Sequence, residues 1–507
     1  MRLNASSCAS YVLTLTVILG STNIYAAATE RLPDSRSFTV IKKKSAPTTA
    51  ESSALAHYSL GIVYDNQGMV DEAIKEYNKA LKHDSESSSI HTRLGTNYLL
   101  KNRLADAIRH LKRAKEIDPE STKARTLLAL IYTSQNKFNE ATGEYQEVIR
   151  LNPGSIEVLT SLADLYVLQE KMDEAAGIYE KLLDKKEDSP FLHFNLALIY
   201  SRLGKIDLAE ERFKRVIELK PDYIEAYLAL GTLYEIKKDM SGAAAFYKEA
   251  LDKDPLNKRV HYHLGSIYYR QKRVEEAIAQ YEFLLKIDAE EIGAYVDLAY
   301  VYLSEKRNTD AEKVLKRADA LDLKSERFFL AYGLTKSAQK EYTEAAHYYE
   351  KVLEYNPNNA QAHFYLGAAY ERAKEIKKAA ASFRRSIELD PQNADAYNYL
   401  GYMLVEDDKD LDEAMDLIKK ALEFQPENGA YVDSLGWAYY KKGMIDDALT
   451  QLEKAVILED ADPVLRDHLG DVYFEKGSFE KARREWRKAL ELDPQQEGIK
   501  EKLERDL

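Results

Sequence analysis

The chain has 507 residues, of which 45% are apolar and 31% charged, a balance that excludes a disordered or wholly membranous protein. Its 85 acidic and 72 basic side chains leave a formal charge of −13. Such a surface repels phosphate backbones, so nucleic acid is not an expected partner.

At the N-terminus, Arg2 is the only charge in residues 1–28. An apolar run, YVLTLTVIL (11–19), is followed by small residues in IYAAA (24–28). This order predicts a signal peptide over 1–28, cut after Ala26, Ala27 or Ala28, and therefore export to the periplasm or cell envelope. The alternative is an uncleaved anchor, although the run is short of the ~20 apolar residues that a span needs. Cys8, the only cysteine, precedes the apolar run, which argues against lipidation. Cleavage removes it and leaves no thiol for a disulfide, a zinc site or a nucleophile. Residues 29–53 place IKKK (41–44) among Ser, Thr and Pro and read as a flexible linker. Any membrane contact is expected through this N-terminal segment at most.

From residue 54 a single unit recurs to residue 496. Small residues stand at Gly61, Gly95, Ala129, Ala163, Ala197, Gly231, Gly265, Ala299, Gly333, Gly367, Gly401, Gly436 and Gly470. Every step is 34 residues except Gly401 to Gly436, which is 35. With these residues at position 8, position 20 is alanine in all thirteen copies, and position 11 is tyrosine in eleven, Lys336 and Leu404 being the exceptions. Proline stands at position 32 in eight. Each unit holds two helical patterns, apolar at i, i+3, i+4 and i+7. Small residues at 8 and 20 let two backbones approach, and the aromatic or leucine at 24 fills the space beside them. Glycine at position 15 (Gly68, Gly204, Gly443, Gly477) supplies the turn, and proline at 32 ends the second helix. Two places depart from the pattern: Lys336 in the ninth unit, preceded by Leu323 in place of proline, and one extra residue in VEDDKDLDEA (405–414). A bend or weak stacking contact is expected at the first, a harmless loop insertion at the second.

The unit resembles the tetratricopeptide repeat, a 34-residue helix–turn–helix. The resemblance implies an all-α fold: a right-handed superhelical solenoid of thirteen repeats (54–496), closed by a capping helix over 497–507, with Ile499 and Leu503 facing the last repeat. It also implies that the first helices line a concave groove holding an extended peptide or a partner helix. On that implication, positions 2, 5, 9 and 12 point into the groove. The candidate partner-binding residues are Phe191, Phe194, Tyr262, Tyr269, Tyr300, Phe364, Tyr402, Trp437, Tyr440 and Phe474. Exposed aromatics grip a partner with large area and little entropic cost; packing between adjacent repeats is the alternative for each. The Lys and Asn set by which one subclass binds C-terminal carboxylates is not present, and Asn195 stands without its companions.

Chemistry finds no residues to carry it. Five of the ten histidines, His57, His91, His193, His261 and His363, share position 4, where packing accounts for them. There is no phosphate loop, no G-x-S-x-G and no H-E-x-x-H. The expectation is a non-enzymatic protein without cofactor or metal. Basic runs such as RHLKRAKE (109–116) fall on second helices and read as solvated faces. The closing units, with YNYLGYML (397–404) and YVDSLGWAYY (431–440), resemble those of exported bacterial members of the family. That resemblance implies a scaffold binding envelope proteins in an assembly, secretion or export complex. The alternatives are a structural spacer, or an accessory subunit presenting substrate to a separate envelope enzyme.

Overall fold

The computed structural model describes residues 49–408, 410–496 and 498–504. The expected leader and most of the expected linker lie outside them. The first helix begins at Thr49, five residues inside the stretch 29–53. The TAESSA sequence is compatible with a helix, and Ser53 Oγ donates to the Thr49 carbonyl at 2.9 Å.

The described residues form 27 helices and, among themselves, no strand. They fall into two compact units that part after Pro255. The first holds repeats 1–6 and the second repeats 7–13. Within each unit the two helices of a repeat pack as a hairpin, and each second helix packs on the first helix of the next repeat.

Why these residues make these hairpins is visible at positions 8, 20 and 24. The alanine at position 20 is fully buried in every repeat. A Cβ on Gly231 would lie 2.3 Å from the Tyr247 ring, and one on Gly470 2.4 Å from Trp486. The ring at 24 thus occupies the space that the missing side chain at 8 leaves. Filling that space would force the ring aside, a strain of about 1–3 kcal/mol.

The turn between the helices is equally regular. Position 15 has positive φ in all thirteen repeats, at four glycines and at nine other residues such as Asn102 (55°), Lys272 (60°) and Lys306 (58°). The next residue's N–H then closes on the carbonyl at position 11, as Met69 does on Tyr64 at 2.9 Å and Lys205 on Tyr200 at 2.9 Å.

Lys336 takes the place of tyrosine in repeat 9 without exposure, being 6% accessible. Its ammonium meets Glu312, Glu341 and Glu344 at 3.1, 2.5 and 3.0 Å. Here the second helix of repeat 8 (Asn308–Ala320) touches the first helix of repeat 9 (Glu326–Ala338) less than at any other junction described inside the two units. The first helices of the two repeats touch each other directly instead. The extra residue of repeat 11 is confined to the turn between Ala394–Glu406 and Leu411–Phe424, which keep 13 and 14 residues.

The array's two ends differ. Positions 7 and 10 are buried from repeat 2 onward, but in repeat 1 Leu60 and Val63 are 40% and 47% exposed. At the other end, the helix Ile499–Glu504 covers repeat 13, with Ile499 fully buried and Leu503 packed beside Trp486. Among the described residues no helix is long and apolar enough to cross a membrane.

Candidate partner-binding face

A first helix presents positions 2, 5, 9 and 12 on one side, three or four residues apart. Position 5 lies over position 24 of its own repeat, and that placement decides the fate of the predicted aromatics. Phe194 meets Phe213 edge-on at 5.5 Å and Tyr223 at 5.1 Å. Tyr262 meets Tyr281 at 5.9 Å, and Phe364 meets Phe383 at 5.9 Å and Tyr399 at 5.3 Å. Phe474, at position 12, lies 5.4 Å from Phe479 and 5.7 Å from Trp486.

Most of the ten candidate rings thus follow the packing alternative and remain only partly open. Phe191 alone is exposed, at 52%. Phe194, Tyr262, Tyr269, Tyr300, Phe364, Tyr402, Tyr440 and Phe474 are half-buried. Trp437 is buried, stacked between His468 at 4.1 Å and Tyr440 at 4.8 Å, with its indole N–H donated to Glu406 at 2.7 Å. The reason is local: a ring at position 5 or 9 finds apolar surface on its own hairpin before it meets solvent.

Two polar networks join these rings across repeats, and single-sequence reasoning missed both. In repeats 7–9 the Tyr262 hydroxyl and the Arg327 guanidinium both donate to Asp297. Burial, and then Asp297, push the Tyr262 phenol well above its usual value. Burial also pushes the Tyr300 phenol up to about 12. In repeats 12 and 13 the buried His468 places Nδ1 3.0 Å from both Asp433 oxygens. Burial opposes charge on this ring, but Asp433 and its acidic neighbours outweigh it and hold the imidazole above the ordinary histidine range. In both networks position 5 of one repeat meets position 6 of the next. The only signal in the sequence was charge at positions where other repeats carry apolar groups.

The position-4 histidines bond within the structure. His57 meets Glu76 at 2.7 Å, His91 meets His110 at 3.0 Å, and His261 meets Gln280 at 2.7 Å. Among the described residues no three metal-ligating groups gather. In the basic run 109–116, His110, Leu111 and Ala114 are buried, while Arg109 and Lys112 are exposed, with Arg109 paired to Asp106 at 2.7 Å and Arg113 to Glu86 at 2.6 Å.

Known proteins resemble this chain in the same terms. Family models described as tetratricopeptide repeat match residues 66–131, 122–155, 337–401 and 377–429, and one described as TPR repeat matches 470–502. The model of the C-terminal domain of cilia and flagella-associated protein 70 matches residues 150–364. No curated protein matches. Among solved structures, the APC/C hetero-tetramer Cut9-Hcn1 is 16% identical, covering 90% of this chain and 96% of its own at a TM-score of 0.42. Naa15/Naa10 bound to HypK-THB is 17% identical, covering 88% and 69% at 0.36. A thermophilic tetratricopeptide protein of Thermus thermophilus, TTC0263, is 24% identical, covering 35% and 97% at 0.32.

Proposed function

The chain belongs to the tetratricopeptide-repeat family, and from that premise we propose that it is a non-enzymatic scaffold of the bacterial cell envelope, exported by residues 1–28. The family's fold serves protein–protein interaction. The reading for this chain is that the first-helix side of the repeats holds an extended segment or helix of an envelope protein within an assembly, secretion or export complex. One observation carries it. The polar and aromatic residues that vary between repeats concentrate on that side, as in Tyr262, Asp297 and Arg327, while positions 8, 20 and 24 are spent on packing.

Photo-crosslinking in the native cell tests it. A crosslinker replaces Phe191, Tyr269 or Glu475, one at a time, with the outward Arg109 as control. One envelope protein captured at the first three positions and not at Arg109 supports the scaffold. No adduct, or adducts mainly at Arg109, overturns it in favour of a spacer. N-terminal sequencing of the mature protein tests export: a start after Ala26, Ala27 or Ala28 supports it, and an intact Met1 opposes it.

A further inference from the structure

Positions 3, 7 and 10 of a first helix form a stripe on the side of the preceding repeat. The stripe is buried in every repeat from 2 to 13, as in Ile90, Leu94 and Asn97 or Leu465, Leu469 and Val472. Within each unit its cover is the second helix of the repeat before. Repeat 1 carries the same stripe as Ala56, Leu60 and Val63, and there all three are exposed, Leu60 by 40% and Val63 by 47%. A repeat array needs a polar outer face at each end to stay soluble. The far end has one: the helix Ile499–Glu504 buries Ile499 and leaves Lys500, Glu501 and Glu504 exposed. The near end presents apolar side chains instead.

Three features decide what covers it. Second helices elsewhere carry alanine at position 20 and a large apolar residue at 24, but the residues 34 before Ala73 and Tyr77 are Thr39 and Lys43, so the preceding sequence does not supply that cover. The first helix of repeat 1, Thr49–Asn66, has 18 residues, whereas those of repeats 2–13 have 13. Its added turn continues the stripe through the exposed Ser52 and gives a face about 27 Å long. The stripe is also free of charge. Asp65 turns to its own hairpin and accepts the Tyr77 hydroxyl at 2.5 Å, and His57 meets Glu76 at 2.7 Å. On a chain of net charge −13, a neutral face is where like can meet like without repulsion.

We propose that the stripe of repeat 1 is covered by a second copy of this chain, the two Thr49–Asn66 helices lying antiparallel across a two-fold axis. Such a contact uses one surface twice and must be self-complementary. An axis beside Ser59 sets Leu60 of each copy against Ala56 of the other, large against small. The contact closes at two copies, because each chain offers one such stripe. A dimer carries two first-helix faces and can hold a partner with repeated segments at both. The inference is independent of what those faces bind.

Sedimentation equilibrium of the full chain, purified as its cell processes it, tests the proposal. A contact one helix pair wide sits at the weak end of specific interfaces, so twice the single-chain mass is expected at about 100 μM and the single-chain mass below about 1 μM. Leu60→Glu combined with Val63→Glu sets carboxylates on both sides of the axis and weakens the dimer by about tenfold or more. Both residues are exposed in the single chain, so circular dichroism should show unchanged helix content and lost association is not lost folding. Ser59→Arg, an exposed polar position beside the axis, brings two cations together and weakens the dimer most at low salt. Ile457→Glu, at an apolar residue 81% exposed in repeat 12, leaves it unchanged. A single-chain mass at every concentration, growth beyond two copies, or a dimer indifferent to both the double variant and Ser59→Arg overturns the proposal. An envelope protein crosslinked at Phe191 would in each of those cases leave the scaffold reading standing.

Discussion

Repeats 7–9 and repeats 11–13 share one 34-residue pattern and present opposite charge from it. The first-helix face of repeats 7–9 carries Arg259, Arg270 and Arg327 against Asp297; that of repeats 11–13 carries Asp433, Asp467 and Asp471 against His468 and Lys502. The burial of the two networks differs as well. The Arg327 side chain is 53% exposed, whereas His468 and Asp433 are 9% and 6% exposed. The spacing rule constrains only the residues that lock one hairpin. Positions 2, 5, 6 and 9 are left open, and neighbouring stretches of one array acquire distinct chemistry there.

The largest way to break this comparison is at its most buried ring. Trp437→Ala removes an indole stacked on both sides and is expected to destabilise by about 3–5 kcal/mol. Tyr269→Ala, half-buried on the face of repeat 7, is expected to cost roughly 1–2 kcal/mol. Urea unfolding followed by circular dichroism measures both. Equal losses would erase the distinction between a buried and a partly open network.

Next in size is the removal of each network's central carboxylate. Asp433→Leu strands His468 in the interior and is expected to cost about 3 kcal/mol. Asp297→Leu frees an arginine that already reaches water but leaves the half-buried Tyr262 hydroxyl without its acceptor, and its cost stays at about 1–2 kcal/mol. A larger loss at Asp297 would reverse the reading of which pair holds the fold.

The sequence made the hairpins legible because their spacing is set by contacts within one repeat: Gly231 against Tyr247, Gly470 against Trp486, and an alanine at 20 buried every time. The face was less legible. Position 5 pointed the right way, but a ring there settles on its own position 24, so exposure could not be inferred from direction alone. The bonds Tyr262–Asp297 and Asp433–His468 join residues 35 apart on successive helices, a register that appears only once the repeats are stacked. Glycine marked the left-handed turn in four repeats, and nothing marked it in the nine where Lys, Asn, Asp or Glu adopts it.

The pH dependence sharpens the contrast by its sign. His468 has a raised value in the folded chain: burial opposes its charge, and Asp433, Asp467 and Asp471 together outweigh burial. The stabilisation from that pair is therefore complete below the unfolded value of about 6.5 and is lost as pH rises through the folded value. His110, in repeat 2, has the opposite sense. Burial, then His91 and Arg109, hold it down to about 4, with Asp106 opposing. Its contribution is present above about 6.5 and is lost as pH falls toward 4. Both tryptophans lie in the last two repeats, so tryptophan fluorescence reports that end alone. Urea midpoints read by fluorescence should fall with rising pH in the parent and not in Asp433→Asn. A midpoint that rises over that range would contradict the pair.

The smallest effect lies in the turns, where the same two regions diverge once more. Repeats 7–9 put Lys272, Lys306 and Lys340 into the left-handed conformation at φ of 60°, 58° and 64°, while repeats 12 and 13 use Gly443 and Gly477. A side chain in that conformation is strained by roughly 1 kcal/mol, and glycine is not. Lys306→Gly relieves the strain but gives the unfolded chain more freedom, so the net gain is only about 0.5 kcal/mol. Gly443→Lys introduces the strain into a repeat built without it and should lose a similar amount. Both substitutions leave the Schellman hydrogen bonds intact, since position 16 still closes on position 11. Opposite shifts of comparable size would show that the turn, and not the bulk of the side chain, sets the difference. A loss in both would mean that Lys306 contributes a contact that its backbone strain does not cancel.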